Sequence, residues 1–292
     1  MIPTVRSYPE FMSAPQLTGC DLISGNLEKN IGCAELLVTL PENLIDLTVT
    51  SPPYDDLRTY KGFTFDYKPI VDQLYRVTAP GGVVVWVVAD ATITGSETGT
   101  SFAQALYFKE VGFNPHDTMI YFAEKPPLTH NRYEQKFEYM FVFSKGKPKT
   151  FNPIMEPCKF AGSSVKSRTF RQTAEGVLEK AHKTEKVAEM KIKGNVWKYA
   201  VGPSSATDKI ARRHPAVFPE GLAEDHIKSW SNLGDLVLDP MTGSGTTGKM
   251  AILNGRRFLG FDISPEYIEI ARERLSCVMP LVPVMSAEEL FR

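Results

Sequence analysis

Residues 50–54, with the sequence TSPPY, combine groups that could grip a flat ring carrying an amino group. They follow the apolar run of residues 45–49, which is predicted to form a β-strand. Pro52 and Pro53 cannot donate to a sheet ladder and fix their own φ, so the strand must stop and the carbonyl between them keeps one direction. That carbonyl, the Ser51 hydroxyl and the Tyr54 ring could hold a heterocycle together. The same residues could equally form a turn that only ends a strand.

A second motif, DPMTGSGTT at residues 239–247, lies between a predicted strand and a predicted helix. Its glycines let a ligand approach the backbone, and the start of the helix offers unpaired N–H groups that favour a phosphate or carboxylate. Asp262 ends the next predicted strand, 23 residues after Asp239, where a carboxylate can accept hydrogen bonds from both hydroxyls of a ribose. The unit suits a ligand with a ribose and a small anionic group, although a tight strand-to-helix turn would show the same pattern.

The composition of the 292 residues is ordinary for a soluble globular protein, with 42% hydrophobic and 23% charged residues. No apolar run approaches the roughly 20 residues that span a bilayer, and the N-terminus does not resemble a secretory signal. The four cysteines form no CxxC pair, and the five histidines lack metal-ligand spacing. We therefore expect a cytoplasmic protein with reduced thiols, no metal site and no membrane partner.

Residues 151–213 are locally basic, although the net charge of the whole chain is −1. This segment contains 13 Lys and Arg against 6 Asp and Glu, a net charge of +7, which leaves about −8 on the rest of the chain. A basic segment on an otherwise neutral body is typical of a protein that binds a polyanion. The segment has few large apolar residues, so a solvated linker is the alternative.

Predicted strands and helices alternate on both sides of this basic segment. Residues 83–88, VVVWVV, are typical of a strand buried on both faces of a parallel sheet. Ser264, with a proline and a glutamate directly after it, is predicted to cap the last helix. The alternation predicts a doubly wound α/β sheet, in which the carboxyl ends of parallel strands share one edge. The two motifs would meet at that edge, although 188 residues separate Ser51 from Asp239.

TSPPY, DPMTGSGTTG and the run FLGFDISPEYIEIARERL at residues 258–275 together resemble the DNA amino-methyltransferases of restriction–modification systems. The order, with the catalytic motif first and the cofactor motif last, resembles the β group of that family, and the likeness covers roughly residues 30–150 and 212–277. The resemblance implies a Rossmann-like methyltransferase sheet and S-adenosylmethionine as cofactor. It divides the chain into an N-terminal arm with the catalytic part at residues 1–150, a target recognition region at 151–213 and a cofactor-binding part at 214–292.

The resemblance also implies roles for individual residues. The catalytic turn would consist of Ser51, Pro52, Pro53 and Tyr54. The cofactor would contact Asp239, Pro240, Thr242, Gly243, Gly245, Thr246, Thr247, Asp262 and His214, although a structural role is equally open for the histidine. Candidates for DNA contacts in the basic segment are Lys166, Arg168, Arg171, Arg212 and Arg213. One position departs from the family: Gly32-Cys33 stands where many relatives have Gly-Asp, so the contact expected from that acid to the adenine edge of the cofactor is not predicted here.

By the same resemblance, the chain would methylate an exocyclic amine on a base flipped out of double-stranded DNA. A serine at the first position of the catalytic turn is typical of N4-cytosine enzymes, so N4-cytosine methylation is expected and N6-adenine methylation is the alternative. A non-catalytic DNA-binding regulator on the same fold and a methyltransferase for RNA or protein also stay open. The resemblance further implies a prokaryotic or phage origin and a monomer or homodimer, and it leaves a cognate restriction endonuclease open as a functional partner.

Overall fold

The computed structural model describes residues 3–7, 19–24, 32–53, 65–123, 133–163, 170–180 and 186–278. The chain forms two compact units: a large unit made of Met1–Asn152 and Asn195–Arg292, and a small unit, Pro153–Gly194. The small unit lies inside the basic segment predicted at residues 151–213, and residues 195–213 belong to the large unit. Both chemical motifs lie in the large unit.

The described residues contain fifteen β-strands, nine of which form the main sheet of the large unit. In chain order they are β1 (Thr4–Ser7), β2 (Cys20–Ser24), β3 (Ile45–Thr50), β4 (Thr78–Val88), β5 (Thr92–Ile93), β6 (Ser96–Glu97), β7 (Asn114–Ala123), β8 (Phe137–Ser144), β9 (Met155–Pro157), β10 (Phe170–Gln172), β11 (Leu178–Lys180), β12 (Met190–Ile192), β13 (Val196–Tyr199), β14 (Leu236–Asp239) and β15 (Arg257–Asp262).

The strands of the main sheet lie in the order β1-β2-β15-β14-β3-β4-β8-β7-β13. Every neighbouring pair from β1 to β4 is parallel, whereas β8 is antiparallel to both β4 and β7. β13 runs parallel to β7 at the edge of the sheet. Because β3, β14 and β15 are parallel neighbours, their carboxyl ends lie side by side. The predicted α/β sheet is confirmed.

Six α-helices occur in the described residues, and none of them is both long and apolar enough to cross a membrane. They are α1 (Cys33–Val38), α2 (Tyr67–Val77), α3 (Thr100–Val111), α4 (Glu220–Trp230), α5 (Thr246–Leu253) and α6 (Pro265–Ser276). Short 3-10 turns at Gly202–Ser205 and Ile210–Arg213 precede α4.

The helices cover both faces of the main sheet. Successive side chains of a strand point to opposite faces, so neighbouring residues of β15 show which helices lie on each face. On β15, the Phe258 ring packs against α5, where a Cβ on Gly248 would lie 2.5 Å from it. The next residue, Leu259, instead joins the core cluster that contains Leu36 of α1 and Ile70 of α2. The helix that follows β14, α5, therefore lies on one face of the sheet. The next described helix after β3, α2, lies on the other face. Ligands of open α/β sheets bind outside the carboxyl ends of the strands at such a switch point.

The centre of the sheet is as apolar as its sequence predicts. Residues 83–88 of β4 are all buried, in keeping with a strand covered on both faces. The Trp86 Nε1–H donates to Gln104 Oε1 of α3 at 2.7 Å, which satisfies the polar atom of this ring inside the core.

The described residues of the small unit form two antiparallel strand pairs, β9 with β12 and β10 with β11. None of its described hydrophobic side chains is buried, and Phe160, Phe170 and Leu178 are more than half exposed. The described part of this unit therefore gains little stability from hydrophobic burial.

Candidate active site

The predicted catalytic turn begins where β3 ends, one residue later than the sequence predicts the end of the strand. Ser51 and Pro53 are half-buried and Pro52 is buried. Tyr54 lies outside the described residues. The turn leaves the carboxyl edge of the sheet between β4 and β14. The residues that carry the Ser51 hydroxyl and the Pro52 carbonyl therefore lie directly after β3, at the switch point of the sheet.

The glycine loop, defined as residues 239–247, connects β14 to the start of α5. Gly243 has a φ of 48° and Gly245 a φ of 78°, conformations that other residues rarely adopt. A Cβ on Gly243 would lie 3.0 Å from Nε2 of His214, and a Cβ on Gly245 would lie 3.0 Å from Cβ of Ala271. Both glycines are therefore required by conformation and by space.

Two threonine hydroxyls join the end of β3, which leads into the catalytic turn, to the glycine loop. Thr50 Oγ1 donates to Asp239 Oδ1 at 2.7 Å, and Thr247 Oγ1 donates to the carbonyl of Val49 at 3.1 Å. Burial raises the pKa of Asp239 to about 6, although these hydroxyls favour its ionised form. Because Ser51 directly follows Thr50, the structure brings the two motifs together at one point of the sheet edge.

Asp262 joins the end of β15 to the glycine loop. Its Oδ2 accepts from the backbone N–H of Gly243 and its Oδ1 from that of Ser264, both at 2.9 Å. Burial, with a smaller contribution from the charge of Asp239, raises the pKa of Asp262 to about 6, although the two backbone hydrogen bonds oppose this shift. Each carboxylate oxygen can accept more than one hydrogen bond, so Asp262 keeps the capacity to bind two ligand hydroxyls.

Two buried hydroxyls beside Asp262, Thr242 Oγ1 and Ser264 Oγ, have no hydrogen-bond partner within the described part of the chain. Ser264 is the N-cap residue of α6, but its hydroxyl makes no capping bond, so the predicted cap is wrong in this respect. A buried polar group without a partner costs about 1–3 kcal/mol. These hydroxyls and the remaining lone pairs of Asp262 fit a nucleoside with ribose hydroxyls and an attached amino acid.

The His214 ring packs over the glycine loop. Its Nδ1 lies 2.7 Å from the carbonyl oxygen of Ala216, and its ring meets that of Tyr267 edge-on at a centroid distance of 4.3 Å. Nε2 is the ring atom that a Cβ on Gly243 would approach. The histidine therefore supports the shape of the loop, and its contact with a cofactor stays a prediction.

The candidate DNA contacts are placed only in part. Arg212 and Arg213 are exposed in the 3-10 turn that precedes His214, and Arg213 forms an ion pair with Glu273. Exposed ion pairs contribute little stability, so this arginine can exchange a carboxylate for a phosphate. The backbone of Arg171 lies in β10. Its side chain, like all of Lys166 and Arg168, lies outside the described part of the chain.

Sequence reasoning missed two features of the site. One is the hydroxyl of Thr50. The other is the buried guanidinium of Arg274, which donates to the Ser244 carbonyl and the Thr246 hydroxyl of the glycine loop. The signal for Arg274 was its position beside Leu275 and three residues after Ala271, on the buried stripe of α6.

Known proteins are similar to this chain in sequence and in fold. A family model for N6 and N4 methyltransferases, described as DNA methylase, matches residues 45–273. Orphan methyltransferase M.BamHII of Bacillus amyloliquefaciens is 55% identical over 236 residues, which cover 79% of this chain and 88% of that protein. DNA adenine methyltransferase YhdJ of Escherichia coli is 27% identical over 282 residues, covering 94% and 90%. The Thermus thermophilus protein TTHA0409, solved in complex with S-adenosyl-L-methionine, has a TM-score of 0.55 at 25% identity, covering 87% of this chain and 94% of that protein. The chain therefore belongs to the N6/N4 DNA methylase family.

Proposed function

We propose that this DNA methyltransferase of the N6/N4 class methylates the exocyclic N4 of cytosine within a specific site of double-stranded DNA. The methyl donor is S-adenosylmethionine, which the similar Thermus protein binds. The observation that carries the proposal is the hydrogen bond from Thr50 to Asp239 at 2.7 Å. It supports a shared site because it anchors the residue before Ser51 to the glycine loop.

The catalytic turn would activate the amine by accepting hydrogen bonds. The lone pair of an exocyclic amine is delocalised into the ring, which makes the nitrogen a poor nucleophile. The Ser51 hydroxyl and the Pro52 carbonyl can each accept one N–H of the amine, which makes the nitrogen more tetrahedral and frees the lone pair. The ring of Tyr54 would stack on the base. Positioning then supplies most of the rate enhancement, and no strong general base is needed.

The glycine loop and its neighbours would hold the cofactor. S-adenosylmethionine supplies a methyl group that is already activated on a sulfonium. The carboxylate of Asp262 would accept from the ribose hydroxyls. The Thr242 hydroxyl, which has no hydrogen-bond partner among the residues that the structure describes, offers a further contact. Backbone N–H groups at the start of α5, next to Gly245 and Thr246, suit the methionine carboxylate. Pro240, Gly243 and Thr247 complete the proposed lining.

DNA binding would place the target base at this turn. An enzyme that acts on a base must take it out of the helical stack, at a cost of a few kcal/mol, and stacking on an aromatic ring offsets about 1–3 kcal/mol of that cost. We assign target recognition to the basic residues 151–213. Arginines there can read guanine or hold phosphate, and lysine contacts phosphate as a point charge. The proposed contacts remain Lys166, Arg168, Arg171, Arg212 and Arg213.

The identity of the base is the finer part of the proposal. The neutral Ser51 at the head of the turn favours N4 of cytosine, because that residue type is typical of N4-cytosine enzymes. The 27% identical relative is named a DNA adenine methyltransferase, so N6 of adenine is the second candidate. The 55% identical relative is named an orphan methyltransferase, which favours a function without a dedicated restriction endonuclease.

One experiment tests both the class and the base. The purified chain is incubated with isotope-labelled S-adenosylmethionine and, in separate reactions, duplex DNA, RNA and protein. The DNA is then digested to nucleosides and analysed by mass spectrometry. We expect labelled N4-methyldeoxycytidine. Labelled N6-methyldeoxyadenosine would overturn the cytosine assignment, and DNA binding without label transfer would favour a regulator.

Two serine variants test the catalytic turn. Ser51→Ala should lower kcat by about tenfold or more, because one acceptor of the amine is lost, while the Kd for cofactor stays within about twofold. Ser96 is an exposed serine in β6, so Ser96→Ala is the matched control and should behave like the wild type. Loss of cofactor binding with unchanged kcat in Ser51→Ala would sink the assignment of this turn.

A further inference from the structure

A buried guanidinium reaches the glycine loop from α6. Arg274 is 1% exposed. Its Nη1 donates to Thr246 Oγ1 at 2.8 Å and to the Ser244 carbonyl at 3.1 Å. Its Nη2 donates to Glu220 Oε1 at 2.6 Å, and its Nε to Asp208 Oδ2 at 2.8 Å. Nη1 also donates to the Ser244 hydroxyl at 3.3 Å, so one side chain binds two carboxylates and three groups of the loop.

Lys249 completes what we call the four-charge cluster: Asp208, Glu220, Lys249 and Arg274. The lysine Nζ lies 2.7 Å from Glu220 Oε1 and 2.8 Å from Asp208 Oδ2, the same two oxygens that bind the arginine. Burial alone would raise the pKa of Asp208, but hydrogen bonds from Lys249, from the Ala211 backbone and from Arg274 outweigh it and hold the pKa below its ordinary value. The pKa of Glu220 is also held below its ordinary value, mainly by Lys249 and Thr207 acting against burial, so both carboxyl groups are ionised at neutral pH.

Stability is a weak reason for such a cluster. Taking charges out of water costs several kcal/mol per ion, and well-packed apolar residues are often as stable as a buried ion pair. A planar guanidinium, however, can donate in several fixed directions at once, which a lysine or an apolar residue cannot do. Here those directions include the Ser244 carbonyl and the Thr246 hydroxyl. The geometry therefore favours control of the loop conformation.

The cluster also holds the other side of the loop. Asp208 Oδ1 accepts from the backbone N–H of Ala211 at 3.0 Å, inside the 3-10 turn Ile210–Arg213. That turn leads directly into His214, whose ring packs over Gly243. Arg274 thus fixes one side of the glycine loop directly and helps to place the histidine on its other side.

We propose that Arg274 is a positioning residue that holds the glycine loop in its cofactor-binding conformation, with Asp208 and Glu220 keeping its guanidinium in place. The inference rests on the proposed function, because it takes the loop to bind the amino-acid part of S-adenosylmethionine. Arg274 itself needs no contact with the cofactor. Its effect passes through Ser244 and Thr246.

The test compares Arg274→Lys with Arg272→Lys. Arg272 lies on the same helix but is exposed and paired with Glu269, so it is the matched control. Binding of S-adenosylhomocysteine and of 5′-methylthioadenosine, which lacks the amino-acid part, is measured by calorimetry well below the unfolding midpoint of each variant. We expect Arg274→Lys to weaken S-adenosylhomocysteine binding about tenfold, equivalent to about 1.4 kcal/mol, and to leave 5′-methylthioadenosine binding within about twofold. Arg272→Lys should change neither.

Kinetics and a second variant keep the inference falsifiable. In Arg274→Lys, KM for S-adenosylmethionine should rise about tenfold while kcat stays within about threefold, because the catalytic turn is untouched. Glu220→Gln weakens the hold on the guanidinium but keeps the shape of the side chain at residue 220. It should raise the Kd for S-adenosylhomocysteine and the KM for S-adenosylmethionine as well, and it replaces Arg274→Lys as the test variant if the lysine variant does not fold.

Two outcomes overturn the inference. One is a lower unfolding temperature in both variants with cofactor affinity unchanged, which would make Arg274 purely structural. The other is an equal loss of affinity for both ligands. A wild-type chain that binds no S-adenosylhomocysteine and methylates no DNA would instead overturn the proposed function itself.

Discussion

Replacing Thr50 by valine removes one hydroxyl from the joint between the catalytic turn and the glycine loop. Thr50 is fully buried and its Oγ1 donates to Asp239 at 2.7 Å. Valine has nearly the shape of threonine, so packing is kept and the lost hydrogen bond dominates the effect. Thr50→Ser keeps the hydroxyl and is the matched control.

The size of the effect should depend on pH. Burial raises the folded-state pKa of Asp239 from 3.8 to about 6, so its carboxyl is mostly ionised at pH 8 and mostly protonated at pH 5. A hydrogen bond to a charged group contributes about 1.5–3 kcal/mol, and one between neutral groups about 0.5–1.5 kcal/mol. A raised folded-state pKa means that this carboxyl favours the folded state more as pH falls from about 6 towards 4. Removing the hydroxyl raises the pKa further, so Thr50→Val should lose more stability at pH 8 than at pH 5.

Denaturant unfolding at the two pH values measures this difference, and methyl transfer at pH 8 measures its consequence for catalysis. We expect a loss of about 2 kcal/mol at pH 8 and roughly half of that at pH 5. The kcat should fall about tenfold, because the residue that precedes Ser51 is no longer anchored. An equal loss of stability at both pH values would refute the link to the ionised carboxyl, and wild-type kcat in Thr50→Val would refute the link to catalysis.

Three further variants probe the cofactor site. In the wild type, cofactor binding should weaken about tenfold for each pH unit below 6, because protonation of Asp262 removes an acceptor. Asp262→Asn should bind cofactor weakly at every pH, without this dependence. Calorimetry at several pH values checks both expectations. Ser264→Ala should lower the free energy of unfolding by no more than about 0.5 kcal/mol, since no capping bond is lost and a buried hydroxyl without a partner among the described residues is removed, yet it should bind cofactor several-fold more weakly. A stability loss of about 1 kcal/mol would show that Ser264 acts as a cap. Gly243→Ala should abolish cofactor binding, because a φ of 48° and a 3.0 Å approach to His214 both oppose a Cβ; normal binding would contradict the loop geometry.

Much of the fold could be predicted because its signals are local. Prolines directly after an apolar run mark the end of β3, and the glycines of the loop mark positions of positive φ. The apolar run at residues 83–88 indicates a strand buried on both faces. Each of these signals depends on neighbouring residues alone, so the sheet and its carboxyl edge follow from the sequence.

The contacts that hold the site together could not be predicted, because they join residues far apart in sequence. Asp208 and Arg274 meet across 66 residues. Within residues 151–213, which the charge pattern predicts to bind a polyanion, β13 also pairs with β7, and Asp208 also binds the arginine that contacts the glycine loop. Net charge counts residues without their partners, so it cannot separate an arginine that faces a phosphate from one buried against carboxylates.

The pairing of β14 with β3 explains how a site can be divided between two distant motifs. Val237 lies beside Leu47 in a parallel pair, and the bond from Thr50 to Asp239 closes the same edge. These contacts involve no residue of the small unit, Pro153–Gly194. The entropic cost of closing a loop rises only about 0.6 kcal/mol for each doubling of its length, so a long connection between the two strands is tolerated. If residues 151–213 recognise the target as proposed, the part of that region within the small unit can change without disturbing the turn and loop that would transfer the methyl group.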